Sequence, residues 1–131
     1  MRVAVFGAGG VGGYFGGRLA HAGNEVVFIA RGAHLQALRE KGLQVKSIQG
    51  DFTVPSVEAT DDPAQAGPVD LIVVAVKAWQ IPDVAADMRP LMGPETAVVP
   101  LQNGLEAAAQ LAVVLGDEAV LAGTCAIYTQ K

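Results

Sequence analysis

Gly7, Gly9 and Gly12 stand in a G-x-G-x-x-G spacing directly behind the apolar run Val3-Ala-Val-Phe6. Glycine at these positions suits a chain that must turn tightly, let a pyrophosphate approach its backbone, and bring a following helix close to the preceding strand. That helix would aim its free N–H groups and the positive end of its dipole at the phosphates. The chemistry on offer is the binding of a dinucleotide, with Gly7 in the turn, Gly9 beneath the phosphates and Gly12 against the strand.

Three further residues fall where such a ligand would be read. Arg31 follows the next apolar run, about 20 residues beyond the glycines, where an NAD-binding chain commonly has Asp or Glu for the ribose hydroxyls. Arginine has no acceptor for those hydroxyls, but its planar fork matches a 2′-phosphate, so the implied cofactor is NADP(H). A solvated arginine after a strand is the plain alternative. Lys77, in Val-Lys-Ala-Trp-Gln, offers an ammonium to a ribose hydroxyl, a phosphate or a substrate carboxylate; a surface lysine is the alternative. Trp79 beside it reads as packing for the following helix. Asn103, in Leu101-Gln-Asn-Gly104, carries donors and an acceptor for a nicotinamide amide or a substrate hydroxyl, although Asn-Gly is also a common turn pair.

Other chemistries find no support. There is no G-x-x-x-x-G-K-[ST] and no G-x-S-x-G, and His21 and His34 have no partner at metal-ligand spacing. His21 reads as a cation at a helix end, and His34 as an exposed residue at a helix start. The single cysteine, Cys125, allows no intramolecular disulfide and reads as a buried small apolar group.

The elements that must position these residues alternate. Strands are expected at Arg2 to Phe6, Glu25 to Ala30, Leu71 to Val76, Thr96 to Leu101 and Ala119 to Ala126. Helices are expected at Val11 to Ala22, Ala33 to Lys41, Pro82 to Leu91 and Glu106 to Leu115. Gly23-Asn24 and Gly42 end the first two helices, and Pro100, which cannot donate to a ladder, marks a strand end. Gly16 and Gly17, poor helix formers, imply close packing of the first helix on the sheet. Leu43 to Ser47 and Phe52 to Val54 read as short strands or a hairpin, and Thr60 to Pro68 as a polar connection that can hold a helical turn. This order predicts an α/β, Rossmann-type, doubly wound and mostly parallel sheet, with ligands beyond the carboxyl ends of its strands.

The chain has 131 residues, 51% hydrophobic and 17% charged, which suits one globular dinucleotide-binding domain spanning 1–131. A net charge of −4 gives no general attraction to nucleic acid. No credible signal peptide and no run approaching the roughly 20 apolar residues of a membrane span is present, so the expected location is cytoplasmic.

Gly7-Ala-Gly-Gly-Val-Gly-Gly-Tyr-Phe-Gly-Gly-Arg-Leu, Ile29-Ala-Arg-Gly-Ala-His-Leu, Val76-Lys-Ala-Trp-Gln and Leu101-Gln-Asn-Gly together resemble the ketopantoate reductase (2-dehydropantoate 2-reductase) family. The resemblance covers the whole chain and corresponds to the amino-terminal half of that family. It implies a two-domain enzyme that uses NADPH to reduce a small keto acid, ketopantoate, to pantoate in pantothenate biosynthesis. Residue by residue, it gives Gly7, Ala8, Gly9, Gly10, Val11 and Gly12 to the pyrophosphate and Arg31 to the 2′-phosphate. Lys77 would lie near the nicotinamide ribose and the substrate, and Asn103 would touch nicotinamide and substrate. A strand near Thr124 to Thr129 would border the cofactor.

In the family, the general-acid lysine and a substrate-binding glutamate come from a helical carboxyl-terminal domain, and this chain stops at Lys131, before it. No catalytic residue is therefore expected within 1–131, and the fragment alone is expected to be inactive. Two other readings stay open: a reductase of a different 2-keto acid in the same superfamily, and a non-catalytic module that senses or carries a dinucleotide. Apolar surface left by the missing domain would favour self-association through the sheet edge or the face near residues 119 to 131.

Overall fold

The computed structural model describes residues 1–7, 10–45, 52–54, 57–76, 80–101, 105–116 and 118–120. Apolar, β-branched runs form five strands of one sheet: β1 (Arg2–Phe6), β2 (Glu25–Ile29), β5 (Glu58–Thr60), β6 (Leu71–Val74) and β7 (Ala97–Pro100). They lie in the order β5-β2-β1-β6-β7 and every pairing is parallel. That order centres on β1 and reverses there, as in doubly wound dinucleotide folds. A separate antiparallel pair, β3 (Leu43–Val45) and β4 (Phe52–Val54), forms the expected hairpin.

The period of two along each strand divides the core between two faces. Ala4 and Phe6 of β1, with Val27, Ile29, Ile72 and Val74, point to one side. There they meet Ile81 of α4 (Ile81–Val84), Ala85, Met88 and Leu91 of a 3-10 helix (Ala85–Leu91), and Leu111 of α5 (Leu105–Leu115). Val3, Val5, Val26 and Phe28 point to the other side. That face receives Tyr14 and Leu19 of α1 (Gly10–His21), Leu35 and Leu38 of α2 (Gly32–Lys41), and Leu43 of the hairpin. The central strands are covered on both faces, which is why they read as unbroken apolar runs.

Close packing sets the height of α1 over the sheet. A β-carbon built on Gly16 would lie 2.5 Å from the Phe28 ring and 3.1 Å from Val5 Cγ2. Gly16 is therefore a packing glycine, as expected, and Gly17 is likewise buried.

The amino-terminal edge of the sheet is tied by polar side chains. Arg2 donates to Glu25 (3.3 Å), to Glu58 (3.1 and 3.2 Å) and to the Ala66 carbonyl (3.1 Å), while its own N–H donates to Asp70 Oδ2 (2.8 Å). One residue thus joins β1, β2, β5 and the approach to β6. The hydrogen bond to Glu58, then the charges of Glu58 and Glu25, hold the guanidinium above its ordinary pKa against the opposing effect of burial. Further along the edge, buried Thr96 accepts from the Gly93 N–H and donates to the Val69 carbonyl, fixing the start of β7 beside that of β6.

Three elements differ from the sequence expectation. The connection from Thr60 begins inside a strand, β5, which pairs with β2 and precedes the one-turn helix α3 (Pro63–Ala66). The strand expected to Val76 stops at Val74. The helix expected from Pro82 to Leu91 is α-helical only as far as Val84 and then tightens to 3-10 geometry. Pro90 lies in that segment, lacks an N–H, and its ring crowds the carbonyl four residues earlier in an α-helix. Of the last expected strand, Val120 pairs in parallel with Val98, and residues 121–126 lie outside the described residues.

Two stability measurements follow. Gly16→Ala should destabilise the chain by about 1–3 kcal/mol by overpacking, outweighing the roughly 1 kcal/mol of helix propensity that alanine adds; urea unfolding reads the sign. Arg2→Met should cost about 1 kcal/mol, because its partners are mostly exposed, with no change in the denaturant slope if the fold is intact.

Candidate dinucleotide site

All five strands run the same way, so their carboxyl ends share one edge, and the sequence-predicted site residues leave the sheet there. The last ladder bonds mark the departure points. Gly7 N–H donates to Ile29 O (3.3 Å), Ala30 N–H to Thr60 O (3.0 Å), Ala75 N–H to Phe6 O (2.8 Å) and Leu101 N–H to Val74 O (2.9 Å). Gly7, Ala30, Ala75 and Leu101 therefore stand in a row. Pro100 is the last residue of β7, as expected.

Gly7 has φ +90°, a left-handed conformation that side-chain-bearing residues rarely adopt. A β-carbon there would lie 3.0 Å from Ala75 C and Val76 N, so the turn presses against the chain leaving β6. The helix start is packed as tightly. A β-carbon on Gly12 would overlap the Gly7 carbonyl oxygen and lie 2.9 Å from Ala75 Cβ. Gly7 and Gly12 thus do what their spacing predicts: one makes the turn, and the other lets α1 begin against the end of β1. The helix starts at Gly10 with no carboxylate in its first turn, leaving its positive end without an acidic side chain of its own.

Arg31 is the second of the two residues between β2 and α2, with extended backbone and no side-chain cap on the helix it precedes. Its side chain is 75% exposed, and Nη2 stands 3.6 Å from Oδ2 of Asp87, which is 47% exposed. Asp87 belongs to the 3-10 helix of the β6-to-β7 crossover. Nothing local in the sequence signals this partner, since an exposed aspartate on a polar helix face is ordinary and only the crossover brings position 87 to position 31. Ala8, Gly9, Lys77 and Asn103 lie outside the described residues, as do Trp79, Cys125 and residues 124–129. The site can be traced through Gly7, the backbone of Gly10 and Val11, Gly12, and Arg31.

The edge suits a dinucleotide in three respects: backbone open at a glycine turn, a helix start aimed at it, and an exposed guanidinium one strand away. An open cavity of about 690 Å³ lies instead at the opposite edge, between the turn entering β7 and the end of α5. Its described lining carries Glu95 and Glu118 but no basic residue, so it does not suit a polyanion. Among the described residues no cluster of His, Cys, Asp or Glu could hold a metal, and no helix is long and apolar enough to cross a membrane.

Comparison with known proteins agrees with this fold. The profile of the family described as Ketopantoate reductase PanE/ApbA matches residues 3–131. An uncharacterized oxidoreductase of Bacillus subtilis, YkpB, is 35% identical over 97% of this chain and 41% of its own length. The 2-dehydropantoate 2-reductase of Nostoc is 33% identical over 99% of this chain and 40% of its own. The chain thus spans about two-fifths of the length of the curated relatives it matches. Among solved structures, 2-dehydropantoate 2-reductase from Geobacter metallireducens superposes with a TM-score of 0.86 at 38% identity, over 92% of this chain and 40% of that one. A D-mandelate dehydrogenase solved with NADH and anilino(oxo)acetate superposes with a TM-score of 0.81 at 29% identity, over 92% and 39%.

Gly12→Ala tests the cradle. The added methyl should push α1 off the Gly7 turn, lowering the melting temperature and weakening dinucleotide binding at least about tenfold. Calorimetric unfolding and a cofactor titration read the two effects separately; unchanged affinity would mean that Gly12 serves packing alone.

Proposed function

This chain belongs to the ketopantoate reductase family, a family of oxidoreductases, and from that premise we propose that residues 1–131 bind NADPH for the reduction of ketopantoate to pantoate in pantothenate biosynthesis. The observation that carries the cofactor reading is the glycine cradle at Gly7 and Gly12 with the exposed Arg31 guanidinium at the neighbouring strand end. The pyrophosphate would rest on the Gly7–Gly12 turn, with Ala8, Gly9, Gly10 and Val11 contributing backbone. Arg31 would hold the 2′-phosphate through charge-assisted hydrogen bonds, a role no carboxylate could fill.

When bound, the reduced nicotinamide supplies a hydride to a carbonyl carbon. By the family pattern Lys77 would lie near the nicotinamide ribose and the substrate, and Asn103 would touch both the nicotinamide and the substrate. Both follow strands that end on the same edge, two residues past Ala75 and two past Leu101. The forming alkoxide needs a proton donor and a cleft that excludes water. The family draws its general-acid lysine and a glutamate from a helical carboxyl-terminal domain, so residues 1–131 alone should bind cofactor and turn over little or no ketopantoate. A cytoplasmic location fits this reading.

Two observations favour a second reading. The D-mandelate dehydrogenase neighbour was solved with NADH, and in this chain Arg31 already has an anionic partner in Asp87. An enzyme of the same superfamily that reduces another 2-keto acid with NADH would fit those two facts.

Titration of the chain with each cofactor separates the readings. We expect NADPH to bind at least about tenfold more tightly than NADH, as a charge-assisted contact implies, and Arg31→Ala to remove most of that difference while leaving NADH binding little changed. Equal affinities, or a preference for NADH, would overturn the assignment of NADPH.

A further inference from the structure

We propose that Asp87 is a specificity-determining residue that opposes the 2′-phosphate at Arg31, so that the chain's preference for NADPH is smaller than Arg31 alone would give. The proposal rests on the reading of Arg31 as the 2′-phosphate ligand. The Arg31 side chain is 75% exposed and its Nη2 lies 3.6 Å from Asp87 Oδ2, too long for a tight, desolvated bridge but close enough to make the carboxylate its ion-pair partner among the described residues. The two residues come from different crossovers: Arg31 from the connection that follows β2, Asp87 from the helical segment between β6 and β7. Their meeting is therefore a property of the fold and independent of local helix pairing.

A 2′-phosphate reaching Arg31 would replace Asp87 as its partner or share the guanidinium with it. In either case a phosphate carrying close to two negative charges comes within a few ångströms of a carboxylate. That repulsion falls on NADPH and spares the 2′-hydroxyl of NADH, which brings no charge to Arg31. Asp87 thus acts on the difference between the cofactors. Asp83, one helical turn earlier and also exposed, adds to the negative character of this segment.

The test is the ratio of NADH to NADPH dissociation constants for the wild-type chain, Asp87→Asn, Arg31→Ala and the double variant, with Glu118→Gln as a control that makes the same charge change at the opposite edge. Asp87 is half exposed, so asparagine should be accommodated. We expect Asp87→Asn to tighten NADPH about two- to fivefold, the range of an exposed ion pair, with a smaller effect on NADH. The gain should shrink in the Arg31→Ala background and at high salt, and Glu118→Gln should leave the ratio unchanged. An unchanged or lowered ratio in Asp87→Asn, with Arg31→Ala still abolishing the NADPH preference, would overturn the role of Asp87 while the NADPH reading stands. A ratio unmoved by Arg31→Ala would overturn both.

Discussion

Helix α1 lies so close to the sheet that no side chain fits at Gly12 or Gly16, and the rest of the molecule is arranged around that approach. Gly16 leaves room for the Phe28 ring, which fills the space between α1 and β2. Gly12 lets the first turn of the helix rest on the Gly7 carbonyl. Gly7 in turn needs a left-handed backbone to pass from β1 into the helix while touching the chain that leaves β6. Moving the helix outward by a methyl group would separate its amino end from the end of β1, and with it the helix N–H groups that would meet a bound anion there.

The two edges of the sheet have different duties. At the amino edge side chains close the structure: Arg2 links β1, β2, β5 and the approach to β6, and Thr96 locks β7 beside β6. At the carboxyl edge backbone bonds close most of the ladder, with the Thr60 hydroxyl bonded to Gln65 and the Asp62 N–H at the end of β5, and among the described residues the Arg31 side chain there is largely exposed. A rigid amino edge holds the strand ends in register. The carboxyl edge can then present loops to a ligand without having to hold the sheet together.

Much of this was legible because it rests on local constraints. β1, β2, α1, the hairpin and the end of β7 follow from apolar period, glycine stops and the missing N–H of Pro100. The glycine spacing also marks the turn at Gly7 and the close approach of α1 at Gly12. β5 was not legible, since Glu58-Ala59-Thr60 is three residues long and becomes a strand only by pairing with β2. The 3-10 segment passed for α-helix because Ile81, Ala85 and Met88 keep the apolar spacing that either geometry can bury. Asp87 could not be found at all, because its significance lies in a partner 56 residues away, which is a matter of topology.

The central claim is that the carboxyl edge at Gly7, Gly12 and Arg31 receives the dinucleotide. The most direct test is an amide-resolved NMR titration of the ¹⁵N-labelled chain with NADPH. The account predicts the largest shifts at Gly7, at Gly10 to Gly12 and at Arg31 to Ala33, with Arg2, Asp70 and Thr96 at the far edge unmoved. Shifts centred on the cavity between the β7 entry turn and the end of α5, or none at saturating NADPH, would contradict it.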